Sequence, residues 1–287
     1  MERVTLTAAD GIAIAARVYE AQGLVEGSVV IGGAMGVRQD FYAPFAQWLA
    51  GQGWCVTTFD YRGSGDSAPD DLRGFQADLF DWTLDYEAAI DHAHAHLPGA
   101  PLYLLGHSLG AQLPGLLANQ DKVRGLLSIA AGSGYWRENA PRLKRMVLPF
   151  WFVLVPLATR LCGYFPGRSL RLVGNLPAGV VLQWRRWCLN PRYSVGAEGE
   201  VARLAYANAR FPVVALSIAD DELMTLQGTR SLLQLYENAP CQVERIAPEE
   251  LALRRIGHFG PFRSDQEGKL WPRMAGWLHQ LGVPAAA

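Results

Sequence analysis

One serine lies between two glycines at the end of an apolar run, in the segment LLGHSLGAQL (Leu104–Leu113). The residues before Ser108 are typical of a buried strand and those after it favour a helix, so a tight strand-to-helix turn is expected. A serine hydroxyl becomes a nucleophile when a base takes its proton. Gly106 and Gly110 lack Cβ atoms, which lets strand and helix approach closely. The amide of Leu109 then begins a helix and can donate to an oxyanion.

A nucleophilic serine needs a base and an acid that orients the base, and without them Ser108 is only a small residue in a turn. In this motif the order along the chain is serine, acid, histidine. The stretch ALSIADDELMT supplies the acid after an apolar run, and we favour Asp221 over Asp220 because the residues that follow Asp221 match the usual acid loop of such enzymes. His258 lies among glycines in RRIGHFGPFR. This position is typical of a histidine that a substrate can reach rather than of one packed in the core.

The elements that must position these residues alternate along the chain. Of the 287 residues half are apolar and 18% are charged, which suits a sizeable core. Two strands joined at Asp10-Gly11 form a predicted hairpin. Apolar strands then alternate with helices, among them Asp78 to Leu97, Leu226 to Tyr236, and about Gln266 to Leu281. We predict an α/β fold with a mostly parallel, doubly wound sheet covered on both faces.

One region interrupts this alternation. From about Gly134 to Ala205 no strand pattern occurs, and four of the nine tryptophans lie in helix-like patches. We expect a helical cap over residues 134–205, inserted in a core formed by 1–133 and 206–287. Such a cap would lie above the carboxyl ends of the strands, where open α/β sheets bind ligands.

Five features follow one another along the chain: VVIGGAMG, FDYRGSGDS, GHSLGAQ, SIADDE and GHFG. In this order they resemble the α/β-hydrolase superfamily over essentially the full length, with a serine esterase or lipase-like site and a helical cap. The resemblance implies acyl transfer, in which His258 takes the Ser108 proton and Asp221 holds the imidazole. This chemistry requires no metal and no organic cofactor.

The resemblance also implies a second oxyanion amide, in the loop after the third strand. There the family usually has His-Gly followed by the donor, whereas this chain has GGAMG (residues 32–36). The missing histidine leaves the register open, so the second donor, in addition to the amide of Leu109, is the amide of Ala34 or of Met35. The same loop lacks the GK[ST] ending of a phosphate loop.

Other histidines have simpler interpretations. Three lie near the end of one predicted helix: His92, His94 and His96. Only the first and last share a helix face, and no glutamate completes a zinc motif, so we expect a solvated face and no metal site. His107 precedes the serine and is expected to pack or to orient the turn.

Charge is unevenly distributed. The net charge is -1, which gives no electrostatic reason to bind nucleic acid. Between Tyr135 and Arg192 there are ten basic residues and one acidic residue, so this region carries +9 and the remainder -10. The basic region either docks on an acidic core or attracts an anionic substrate or, weakly and peripherally, an anionic membrane.

Cysteine spacing and hydropathy bear on the cellular location. The four cysteines are far apart and form no CxxC pair, which is typical of reduced thiols. The start of the chain lacks the apolar segment of a signal peptide. The longest apolar stretch, Met146 to Ala158, contains two prolines and is shorter than the roughly 18 residues of a membrane span. We therefore expect a soluble, cytoplasmic protein.

The sequence thus predicts a serine hydrolase that cleaves a small-molecule carboxylic ester through an acyl-enzyme on Ser108. An acyltransferase or a thioesterase would use the same triad. A non-catalytic member of the fold that binds a ligand is the alternative from another class. No oligomeric state is predicted.

Overall fold

Eight strands form one sheet in the structure, a computed structural model that describes residues 1–283. Within these residues the strands, in chain order, are β1 (Glu2–Thr7), β2 (Ala13–Tyr19), β3 (Gly27–Gly32), β4 (Trp54–Phe59), β5 (Leu102–His107), β6 (Gly125–Ile129), β7 (Tyr164–Phe165), β8 (Leu176–Pro177), β9 (Val213–Ile218) and β10 (Cys241–Ile246). The order across the sheet is β1-β2-β4-β3-β5-β6-β9-β10, and β7 pairs only with β8.

The sheet is mostly parallel. β1 and β2 form the predicted antiparallel hairpin and β2 pairs antiparallel with β4, while all other pairs in the large sheet are parallel. Every residue of β3, β5 and β9 is buried, because helices cover both faces of the sheet. The predicted fold class is confirmed.

Ten α-helices surround the sheet in the described part of the chain. They are α1 (Ala43–Gly51), α2 (Leu79–His96), α3 (Leu109–Gln112), α4 (Pro141–Pro149), α5 (Val155–Cys162), α6 (Ala178–Leu189), α7 (Tyr193–Glu198), α8 (Glu200–Asn208), α9 (Leu226–Leu233) and α10 (Leu270–Gly282). Side chains of α1 and α10 fill the buried cluster on one face of the sheet. Side chains of α2 and of the helices between β6 and β9 fill the cluster on the other.

Helix boundaries follow local chemistry. Asp78 caps α2, since its carboxylate accepts the amides of Phe80 and Asp81 at 2.7 and 3.0 Å. α10 begins at Leu270, later than predicted, because a helix beginning near Gln266 would place Pro272 in its interior.

Five helices, α4 to α8, lie between β6 and β9, in the region where a cap is predicted. The short β7–β8 pair also lies there, although the sequence indicates no strand. Two-residue strands are too short to show a periodic pattern. The boundaries of a separate cap domain stay a prediction.

The apolar stretch from Met146 to Ala158 is part of a longer helix. α4, a π-helical segment (Phe150–Leu154) and α5 run continuously from Pro141 to Cys162, 22 residues. By length and composition this helix is long and apolar enough to cross a membrane, with a mean hydropathy of 1.4. The apolar stretch itself is shorter than a span, as predicted, but the helix that contains it extends beyond both of its ends.

The π-helical segment explains how the helix continues past its prolines. The Val155 amide donates to the Phe150 carbonyl, five residues back. The Trp151 carbonyl would next pair with Pro156, which has no N–H. Arg185 Nε donates to that carbonyl instead, at 2.6 Å. A side chain from α6 therefore stabilises the segment that the prolines would otherwise interrupt.

A buried ion pair holds the loop after β4 against α2. Arg62 donates to Asp85 from Nε and from its backbone amide, both at 2.8 Å, and also contacts Asp10. Burial raises the pKa of Asp85 to about 6, although Arg62 opposes the rise. The carboxylate is therefore stable in the interior only with its cation.

We predict that Arg62→Leu lowers the free energy of unfolding at neutral pH by about 3 to 5 kcal/mol, since it leaves a buried carboxylate unpaired. The loss should shrink as the pH falls toward about 6, because without Arg62 to lower its pKa the Asp85 carboxyl is protonated at a higher pH than in the native protein, and a neutral carboxyl needs no cation. Urea unfolding measures both effects. Arg38→Leu is the control. Arg38 pairs with Asp66 at the surface, so this substitution should lower the free energy of unfolding by less than about 1 kcal/mol. Equal losses would contradict the prediction.

Candidate active site

Ser108 occupies a strained turn between β5 and α3. Its φ is 53° and its ψ is -113°, in a region that residues with a Cβ rarely adopt. The flanking glycines permit the turn: a Cβ on Gly106 would contact the backbone of Ala111, and one on Gly110 would overlap the carbonyl oxygen of Gly32. The expected strand-to-helix turn is present, with the serine 8% exposed.

The strain is measurable because glycine adopts this conformation freely. We predict that Ser108→Gly unfolds with a free energy about 1 kcal/mol higher than that of Ser108→Ala, since both remove the hydroxyl and only alanine keeps the strain. Chemical denaturation of the two variants gives the difference. An alanine variant at least as stable as the glycine variant would show that the turn carries no strain.

The acid loop after β9 holds the histidine loop through three consecutive carboxylates. Asp221 Oδ2 lies 2.9 Å from His258 Nδ1, and both side chains are almost fully buried. Asp220 accepts the amides of Ile256 and Gly257, each at 3.0 Å. Glu222 accepts the amide of His258 at 3.1 Å. Since a carboxylate only accepts, the Asp221 contact puts the imidazole proton on Nδ1 and leaves Nε2 as the free base.

Burial acts to raise the pKa of Glu222, yet that pKa is lowered. The amides of its own residue and of His258, together with Arg255 at 3.0 Å, outweigh the burial. Glu222 therefore stays charged and keeps its hold on the His258 backbone.

The serine and the base are joined through a neighbouring residue. Among the described residues no hydrogen bond links Ser108 Oγ to His258, whereas His107 Nε2 donates to the His258 carbonyl at 3.0 Å. The His107 and His258 rings lie 5.1 Å apart, centre to centre. Nucleophile–base bonds are often long without substrate and shorten when it binds. The structure thus pairs Asp221 with His258 directly and connects the His258 loop to His107, the residue before Ser108.

His107 connects the serine turn to the loop after β3. Tyr42 Oη donates to His107 Nδ1 at 2.9 Å and accepts the Ala34 amide at 2.8 Å. Burial, together with the nearby His258, holds the pKa of His107 well below its usual range, so this ring is neutral. The expectation that His107 orients the turn agrees with these contacts.

The two candidates for the second oxyanion donor differ in their contacts. The Ala34 amide is engaged by Tyr42, so it is not available to a substrate. In the described part of the chain, the amides of Met35 and Leu109 donate to no protein acceptor, although both residues are buried. Buried amides rarely lack a partner, and an oxyanion would provide one. The geometry therefore favours Met35 over Ala34.

The histidines of α2 lie away from this site. His92 and His96 stack on one face, with ring centres 5.7 Å apart, and His96 Nε2 contacts Glu20 at 2.8 Å. Cys55 approaches the same carboxylate. One ligand atom each from Glu20, Cys55 and His96 lies within 4.8 Å of the other two. Burial, aided by Glu20, raises the pKa of Cys55 to about 11. A protonated thiol is a poor metal ligand, which argues against a metal ion at this cluster. The absence of a metal site stays a prediction.

Comparisons with known proteins agree with this architecture. Residues 24–163, just under half of the chain, match a family described as serine aminopeptidase, S33. A search of the curated proteins gave no match.

Solved structures similar to this chain include several hydrolases. A soluble variant of monoglyceride lipase from Saccharomyces cerevisiae, in complex with a substrate analog, shares 17% identity with a TM-score of 0.67, over 99% of this chain and 96% of that one. Esterase Pf2001 of Pyrococcus furiosus shares 13% identity with a TM-score of 0.61, over 97% of this chain and 92% of that one. A thioesterase domain from the curacin biosynthetic pathway shares 15% identity with a TM-score of 0.56, over 99% of both chains.

Identities this low establish the fold and not the substrate. The parallel sheet, the serine turn at the end of β5 and the matched family segment all agree with the fold of these structures. The chain has the α/β-hydrolase fold, and its residues 24–163 are similar to the serine aminopeptidase family.

Proposed function

We propose that this protein is a serine hydrolase that cleaves the carboxylic ester of a small molecule through an acyl-enzyme on Ser108. The observation that carries the proposal is the buried Asp221–His258 pair, 2.9 Å apart, whose histidine is tied by its carbonyl to the residue before a strained serine. A turn that only needed a small residue would not require a buried imidazole and carboxylate beside it.

In the proposed first half-reaction, Ser108 Oγ attacks the ester carbonyl carbon while His258 Nε2 takes its proton. Asp221 keeps the proton on Nδ1 and balances the charge of the imidazolium. The oxyanion accepts hydrogen bonds from the amides of Met35 and Leu109. The C–O bond to the leaving group breaks, and the imidazolium protonates the departing alkoxide.

In the second half-reaction, His258 takes a proton from water, and the resulting hydroxide attacks the acyl carbon. The tetrahedral intermediate collapses, Ser108 leaves with the proton from His258, and a carboxylic acid is released. Every step uses side chains and amides of the chain, which supports a reaction without metal or cofactor.

We also propose a cytoplasmic location for the protein. All four cysteines are free, and burial raises the pKa of Cys55 and Cys188 above the usual value, which keeps those thiols protonated and unreactive.

A panel of p-nitrophenyl esters of increasing acyl length tests the proposal. We expect a burst of p-nitrophenol followed by slower steady turnover, because acylation and deacylation are separate steps. Ser108→Ala should show neither. Absence of turnover on every ester would favour a binding protein. Faster turnover of matched thioesters would favour a thioesterase, and transfer to an added alcohol in preference to water would favour an acyltransferase.

A further inference from the structure

The helix from Pro141 to Cys162, here called the cap helix, presents two different faces. Its inner face is buried through Val147, Trp151 and Val155. These three side chains belong to the same continuous apolar cluster as Met35 and Leu109, the two residues proposed above as oxyanion donors. The inner face is therefore part of the protein core.

The outer face of the cap helix is apolar and uncovered. Six of its large apolar side chains are between 44% and 75% exposed: Met146, Leu148, Phe152, Val153, Leu157 and Leu161. The loop after β7 adds Leu170 and Leu172, which are 37% and 51% exposed. Half of the sixteen exposed large apolar residues in the described chain thus lie in this one region. A concentration of this kind marks an interaction surface rather than random exposure.

Cations without acidic partners border this apolar face. They lie at the start of the cap helix, at its end and on the following loop: Arg142, Lys144, Arg145, Arg160, Arg168 and Arg171. Within residues 1–283 none of the six has a carboxylate within 4.0 Å. No acidic residue occurs between Asn139 and Ala197. Close ion pairs therefore do not neutralise these cations, although Asp70 and Asp71 line the same cleft as Arg168 and Arg171.

An exposed apolar strip bordered by unpaired cations complements one kind of surface in particular. Apolar side chains enter the boundary between lipid headgroups and acyl chains, while cations pair with anionic headgroups. A membrane span is a poorer fit, because the inner face would have to leave the core cluster. We propose that the outer face of the cap helix and the loop after it dock on an anionic lipid bilayer, with the helix lying in the plane of the membrane. The proposal rests on this surface and not on the proposed reaction.

Co-sedimentation of the full-length protein with vesicles tests the docking. We expect binding to vesicles of phosphatidylcholine mixed with phosphatidylserine, weak binding to phosphatidylcholine alone, and a steep loss with added salt. Ser108→Ala should bind like the native protein, which separates this test from the test of the reaction. No binding to either vesicle would overturn the proposal.

Two triple variants identify the surface. Arg142→Gln, Lys144→Gln and Arg145→Gln together should lower partitioning onto the anionic vesicles roughly a hundredfold, at the usual contribution of each cation near such a membrane. The matched control changes three exposed cations elsewhere: Arg3→Gln, Arg254→Gln and Lys269→Gln. Because both sets remove three positive charges, equal losses would show a net-charge effect and would overturn the assigned surface.

The apolar triple variant is Met146→Ser, Leu157→Ser and Leu161→Ser, and its control is Leu24→Ser, Val25→Ser and Val201→Ser. All six side chains are exposed, so unchanged thermal unfolding is expected in both variants. Only the first set should reduce vesicle binding, by roughly tenfold or more. Sedimentation equilibrium tests whether a second copy of the chain covers this face instead. If the native protein is a dimer and the first set of substitutions converts it to a monomer, the surface belongs to a second copy and the membrane proposal is overturned.

Discussion

Ser108→Ala and His258→Ala are each expected to lower kcat on a p-nitrophenyl ester by at least about 10⁴-fold, and the double variant to lose little more. The reason is that the hydroxyl and the imidazole act in one proton transfer, so removing either abolishes the step that both perform. Residual turnover would come from substrate binding and the oxyanion amides. The measurement is steady-state kinetics of the three variants and the native protein.

The double variant distinguishes this mechanism from two separate contributions. Losses that add in free energy, so that the double variant falls by the product of the single effects, would mean that the two residues do not work as a unit. Circular dichroism of each variant shows whether the fold is retained.

Asp221→Asn is expected to lower kcat by about 10⁴-fold, because an amide beside Nδ1 can stabilise the wrong tautomer and cannot balance the imidazolium charge. Asp220→Asn is the matched control. Asp220 accepts two loop amides and does not contact the imidazole in the structure, and an asparagine oxygen still accepts one of them. Its kcat should therefore stay within about tenfold of the native value, the usual effect of one weakened hydrogen bond.

The neighbouring position makes this comparison informative. Both substitutions remove one carboxylate from the same loop, and only one removes the partner of His258. The reverse order of effects, with Asp220→Asn the more damaging, would assign the acid to Asp220.

Periodicity and glycine placement were enough to predict the central sheet and the serine turn. Buried parallel strands such as β3 and β5 appear as continuous apolar runs, and Gly106 and Gly110 mark the close approach around Ser108. These features are local, so the sequence shows them directly.

The contacts that organise the site are not local. Asp220, Asp221 and Glu222 are consecutive, yet each carboxylate holds a different atom of the histidine loop, and loop side chains have no period from which their directions follow. Tyr42 reaches the Ala34 amide and His107 across three segments of the chain. The preference for Met35 as a donor depends on that contact and could not be predicted from the GGAMG pattern.

The cap helix shows a third limit of prediction. Pro149 and Pro156 normally indicate a helix end, and the π-helical turn that accommodates them depends on Arg185, more than two dozen residues further along the chain. The length of the helix, and hence its exposed outer face, becomes visible only when that contact is known.

Reaction of the protein with a fluorophosphonate, followed by mass mapping of the labelled peptide, shows whether Ser108 is the nucleophile. We expect one adduct, on Ser108, which forms slowly or not at all in His258→Ala and is absent from Ser108→Ala. An unlabelled native protein, or a label that persists at another residue in Ser108→Ala, would contradict this assignment.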